Sequence, residues 1–122
     1  MESILTSVKK QLGITEEYTH FDSDIIMHIN TVFMTLTQIG VGPSDGFAIK
    51  DASAVWSDFI PEGNLEAVKT YMGIQVRLIF DPPLSSTHLD SMNRIASELE
   101  WRLNVNVDTV ETDGEEEIQN GE

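Results

Sequence analysis

Apolar residues recur at three- and four-residue spacing in four stretches of the chain, and each stretch predicts a helix. The densest is Asn64 to Pro83, NLEAVKTYMGIQVRLIFDPP. At about 100° per residue, Leu65, Val68, Met72, Val76 and Ile79 share one face. Ala67, Tyr71, Ile74 and Leu78 widen that arc past half the circumference, leaving a strip of Glu66, Lys69, Thr70, Gly73 and Arg77. A helix this apolar is central, with neighbours on two or three sides. Asn64 suits the N-cap and Glu66 the positive end of the helix dipole. Asp81-Pro82-Pro83 ends it, because proline lacks the N–H donor and disfavours αR in the residue before it.

The other stretches surround this hub. Met1 to Leu12 predicts an amphipathic helix with Ile4, Leu5, Val8 and Leu12 inward, stopped by Gly13. A connector follows to His20, with a turn at Thr15-Glu16-Glu17. The second helix starts at Asp22, which suits the cap, with Phe21 placed to staple onto Ile26. It runs to about Ile39 and is closed by Gly40. Its inward residues are Ile25, Ile26, Ile29, Val32, Phe33, Leu36 and Ile39. Between Ile25 and Gly40 no residue carries a fixed charge, and Met27 and Met34 lie opposite the core beside Asn30 and Gln38. A solvated face normally carries Lys and Glu, so this one reads as a protein–protein contact, for which methionine is adaptable. The alternative is a neutral surface.

A loop of more than twenty residues joins the second helix to the hub. It holds a turn at Val41 to Gly46, a short alternation at Phe47-Ala48-Ile49 like an edge strand, and Trp56 and Phe59 one helical turn apart. Long loops of this kind are often functional. Phe47, Trp56 and Phe59 are either contact residues or lids over the core. The last helix is capped by Ser85 or Ser86 and extends to about Asn104, with Leu89, Met92, Ile95, Ala96, Leu99 and Leu103 as its stripe. Arg94, Glu98 and Arg102 form an i, i+4 ladder. Trp101 shares the charged side with Asp90, Arg94 and Ser97, where an aromatic is either an interface anchor or packed against the loop.

Length and charge narrow the class. A chain of 122 residues holds one modest core. No apolar run approaches the roughly 18 residues of a membrane span, and Met1 to Gln11 lacks an export pattern. The absence of cysteine excludes disulfides and thiolate metal sites, and suits the cytosol or a particle assembled there. Seven Lys+Arg against 21 Asp+Glu give a net charge of −14, which argues against tight wrapping of DNA. Residues 105–122 contain seven acids and no base, and are expected to be disordered when free. Such a tail either solubilises the protein or orders on a partner.

Chemistry is sparse. His20, His28 and His88 are isolated from one another. Asp24 and His28 share a helix face at i, i+4, but two ligands are too few for a metal site, and a helix N-terminal pairing explains them better. No GxGxxG, GxxxxGK[ST], HExxH or GxSxG motif is present, and no carboxylate pair is placed for acid–base work. The expectation is a non-enzyme without cofactor or metal.

The segments ITEEYTHFDSDIIMHINTVFMTLTQIGVGP, NLEAVKTYMGIQVRLIFDPP and ASELEWRLNV resemble, in order and spacing over roughly residues 12–105, the head–tail connector proteins of tailed bacteriophages of Gram-positive hosts. These are also called head-completion or adaptor proteins. Gly73 departs from that family, where a bulkier residue is usual, and the acidic segment beyond Val107 has no counterpart. The resemblance implies a virion neck protein, assembled in the host cytoplasm. It forms a ring of about twelve copies under the portal, extends the DNA channel and offers a docking surface to the next neck or tail component. DNA passes without specific binding, since a conduit should repel phosphate. No membrane is implied.

The expected architecture is all-α. It is a small bundle of four to five helices over 1–104, with the long aromatic loop between the second and central helices and a flexible acidic tail over 105–122. The second, central and last helices are expected to build the core. Candidate assembly contacts are Met27, Asn30, Met34, Phe47, Trp56, Phe59, Arg94, Trp101 and Arg102. Two other readings stay open. One is an acidic regulator or DNA mimic, which predicts a monomer or dimer with striped acids. The other is a small metal-binding protein or enzyme, resting on Asp24 and His28 alone.

Overall fold

The computed structural model describes residues 2–60 and 64–120, with side chains described as far as residue 105. Five helices follow one another, α1 (Ile4–Gln11), α2 (Asp22–Gln38), α3 (Trp56–Phe59), α4 (Leu65–Phe80) and α5 (Ser86–Asn120), and no strand forms among the described residues. The chain is a small all-α bundle.

The hub is α4, which packs against α1, α2 and α5. Leu65, Val68, Tyr71, Met72 and Val76 are buried along it, as the apolar arc predicts. Ile79 differs. It is 49% exposed, one residue before the helix ends at Phe80. Fully burying a side chain of this size is worth about 1.5–3 kcal/mol. The buried set on α4 is therefore a large part of the core.

The core is wider than the three long stripes suggest. Every residue of α1 from Ile4 to Lys9 is buried, including Thr6, Ser7 and Lys9. The helix is sandwiched, meeting α2 and α4 on one side and the aromatic loop on the other. There the Ile4 N–H donates to the Ala54 carbonyl at 3.0 Å, and Ser3 and Val55 form an isolated antiparallel bridge. Lys9 is tolerated inside because Nζ lies 2.9 Å from Asp22 Oδ1 and donates to the Glu16 carbonyl at 3.0 Å. Asp22 is therefore the first residue of α2 and an ion-pair partner, with Phe21 at the N-cap.

α2 ends where predicted. Gly40, at φ +90, lets the Val41 N–H reach back to the Leu36 carbonyl at 2.9 Å, a closure that requires a left-handed residue. The loop then folds over α2. Phe47-Ala48-Ile49 forms no strand; instead Ile49 pairs with a side chain. Its N–H donates to Asn30 Oδ1 at 2.8 Å and its carbonyl accepts from Asn30 Nδ2 at 3.0 Å. Phe33, Phe47 and Phe59 stack with ring centroids 4.6 to 5.3 Å apart. Gly42 makes that stack possible, since a Cβ there would sit 2.4 Å from Phe59 Cε1. The loop is a lid on the core.

Ser85 starts α5, its Oγ accepting the His88 N–H at 3.3 Å. Met92, Ala96 and Leu103 are buried along the expected stripe, while Ile95 is 42% exposed. The helix continues past Asn104, where the stripe ends, to Asn120. The acidic tail expected from residue 105 onward falls, beyond Val105, on residues outside those whose side chains are described.

Candidate interaction surface

The outward face of α2 presents Met27, Thr31, Met34 and Gln38, all exposed. Their 4-3-4 spacing aligns them in a single stripe. Met27 is 58% and Met34 64% exposed, and no charge interrupts them. Thr31 turns its hydroxyl to the Met27 carbonyl at 3.0 Å, which leaves mainly methyl and thioether surface outward. Asn30 is not part of this stripe. Both ends of its amide are bound to Ile49, and it acts inside the subunit.

At the C-terminal end of α2 this stripe meets α5. Met34, Thr37 and Gln38 line a cleft of about 300 Å³ with Asp45 and Phe47. The next residue, Ile39, lines a second cleft of about 290 Å³ with Ser97, Glu100, Trp101 and Asn104. Asn104 Nδ2 donates to the Ile39 carbonyl at 3.4 Å and ties the two helices together there. Trp101 is 65% exposed. Met34 and Trp101, far apart in sequence, therefore line neighbouring clefts at the end of α2, with Asp45 on the rim of one and Glu100 on the rim of the other. Thr31 and Ile39 were missed in the sequence. The 4-3-4 spacing from Met27 could have found Thr31, whereas Ile39 depends on how α5 crosses the end of α2.

Glu100 is held in place from behind. Tyr71 donates its hydroxyl to Glu100 Oε2 at 2.9 Å and accepts from Gln75 Nε2 at 3.1 Å. Burial, seconded by the Glu100 charge, pushes the Tyr71 pKa up to about 12, so the phenol stays a donor. Arg102 pairs with Glu98 at 2.7 Å. Arg94 is exposed, shares Trp101's side of α5, and makes no ion pair among the described residues.

Two candidate contact residues lie elsewhere. Trp56 is fully buried and Phe59 is 3% exposed. Both belong to the core cluster, Phe59 with its ring against Phe33 of α2, so neither offers surface to a neighbour in this conformation. Phe47 is intermediate, stacked on Phe33 with one side in the cleft beside Met34.

Among the described residues no group of three His, Cys, Asp or Glu is placed to hold a metal. His28 instead lies beside the Phe80 ring, 6.2 Å between centroids. No described helix is long and apolar enough to cross a membrane.

A bundle that exposes a charge-free stripe on α2 and Trp101 on α5 is equipped for protein contact. Comparison with known proteins adds the context. Neither the curated proteins nor the solved structures give a match. A family model described as phage connector protein matches residues 4–110, spanning α1 to α4 and most of α5. By that match, over most of its length, this chain is a member of the phage connector protein family.

Proposed function

We propose that the protein is a structural subunit of the virion neck, a head–tail connector that assembles as a ring beneath the portal. The ring extends the DNA channel and gives the next neck or tail component a surface to dock on. The observation that carries this reading is the exposed Met27–Thr31–Met34–Gln38 stripe of α2, with exposed Trp101 on α5. The stripe carries no charge on a chain with a net charge of −14. Methionine and tryptophan are enriched in the cores of protein interfaces, where charges are depleted. The remaining acidic surface suits a channel wall, because it repels phosphate and lets DNA slide. A ring of about twelve copies is the assembly that the family resemblance suggests.

The test is a Met27→Glu/Met34→Glu double variant, followed by native mass spectrometry with and without portal protein. Both side chains are exposed, so the expected result is an unchanged helical spectrum and melting temperature with loss of ring formation. Rings of normal mass from the double variant would remove this face from the interface.

A further inference from the structure

A ring closes through head-to-tail contacts, so each subunit must present two different and complementary patches. The Met34–Trp101 surface is one. A groove of about 260 Å³ lies between α4 and the first turns of α5, lined by Gly73, Ile74, Arg77, His88, Met92 and Ile95. Ile95 belongs to the apolar stripe of α5 yet is 42% exposed. At Gly73 the Gln11 side chain occupies the space a Cβ would take, and its amide donates to the Lys69 carbonyl at 3.3 Å. The end of α1 thus closes one side of the groove. Neither Arg77 nor His88 makes an ion pair among the described residues.

We infer that this groove receives the Trp101 end of α5 from a neighbouring copy of the chain. The inference rests on the ring reading above and assigns the second half of its contact. Ile95 and Trp101 are six residues apart, which puts them about 120° apart around α5. A subunit therefore displays groove and knob on different sides, as head-to-tail joining requires. Its own knob cannot fill its groove, because α5 is continuous from Ser86 to Asn120 and carries Trp101 away from the groove. The apolar walls suit an indole, and the charges are complementary. On the knob side Arg102 is paired with Glu98, and Glu100 with the seven acids of 105–122 outweighs Arg94, while the groove carries the cation Arg77. Knob-to-knob pairing would instead bring two acidic ends together, which like-charge repulsion disfavours.

The chain has no cysteine, so single-cysteine variants report contacts cleanly. Ile95→Cys and Ser97→Cys, each in the full chain, are mixed, assembled with portal protein, and treated with a short bis-maleimide. The expected result is an Ile95–Ser97 cross-linked dimer in the ring fraction, stronger than from either variant alone. Arg77→Glu is expected to lower ring yield about tenfold at unchanged melting temperature. Should Ile95→Cys fail to fold, His88→Cys, exposed in the same groove, takes its place with the same outcomes. Normal rings that give no such cross-link, with Arg77→Glu assembling as well as the parent, would overturn the groove and leave the ring standing. A chain that stays monomeric even with portal protein would overturn both.

Discussion

Single side chains in this protein do work that their position on a helical wheel hides. Asn30 lies on the uncharged side of α2, yet it supplies both partners of the Ile49 backbone, and Ile49 is 4% exposed. Asn30→Ala should cost about 1–3 kcal/mol, the penalty for unpaired buried groups, measured by urea denaturation. The two close-approach glycines should behave differently. Gly42 has φ +87 and a Cβ there would enter the Phe59 ring. Left-handed backbone alone costs an L-residue roughly 1–2 kcal/mol, so Gly42→Ala should lose at least that much. Gly73 is helical, and a Cβ would displace only the tip of exposed Gln11. Alanine gains about 1 kcal/mol of helix propensity there and loses one exposed hydrogen bond of similar size. Gly73→Ala should therefore change stability little. Tyr71 makes a pH prediction. Its pKa is raised from 10.0 to about 12 in the folded chain, so the unfolded phenol ionises first as pH rises. Stability linked to Tyr71 is complete below about pH 10 and is lost as pH climbs toward 12. The fall in melting temperature over that window should be smaller in Tyr71→Phe than in the parent.

At the scale of elements, the best-read helix is also the one the others surround. The stripe of α4 identified it as the hub, and the stops of α2 and α4 were legible because glycine and proline act locally; the cap expected at Asp22 falls instead on Phe21, because the Asp22 carboxylate is turned to Lys9. The role of α1 was not legible. Thr6, Ser7 and Lys9 look solvent-facing, and only the tertiary placement of Asp22 and the Glu16 carbonyl makes Lys9 burial tolerable. Removing one partner of a buried pair commonly costs about 3–5 kcal/mol. Asp22 is a quarter exposed, so water partly compensates it and Lys9→Ala should cost somewhat less, about 2–3 kcal/mol. Thermal denaturation would show this as one of the larger losses from a single polar substitution. The aromatic loop was ambiguous for a related reason. Phe47, Trp56 and Phe59 have the composition of an anchor set, and the way the loop lies on the core follows from Gly42, which admits the Phe59 ring, and from Asn30, which holds Ile49. No periodicity in the loop encodes those contacts.

For the whole molecule, the lack of charge on α2 and the placement of Trp101 on the polar side of α5 were both readable. The approach of α5 to Ile39 at the end of α2 was not, because it depends on how the two helices meet. Trp101 carries a specific energetic expectation. Truncating a central interface aromatic commonly costs about 2 kcal/mol or more, and a rim charge far less. Trp101→Ala should thus weaken assembly much more than Arg102→Ala, with little change in monomer melting temperature since Trp101 is 65% exposed. Sedimentation of the two variants beside the parent measures the difference. The most direct test of the central claim is electron cryomicroscopy of the neck of the intact virion. The account predicts this chain as a closed ring against the portal, with Met34 and Trp101 buried between subunits. A neck without this chain, or a ring in which both residues face solvent, would contradict it.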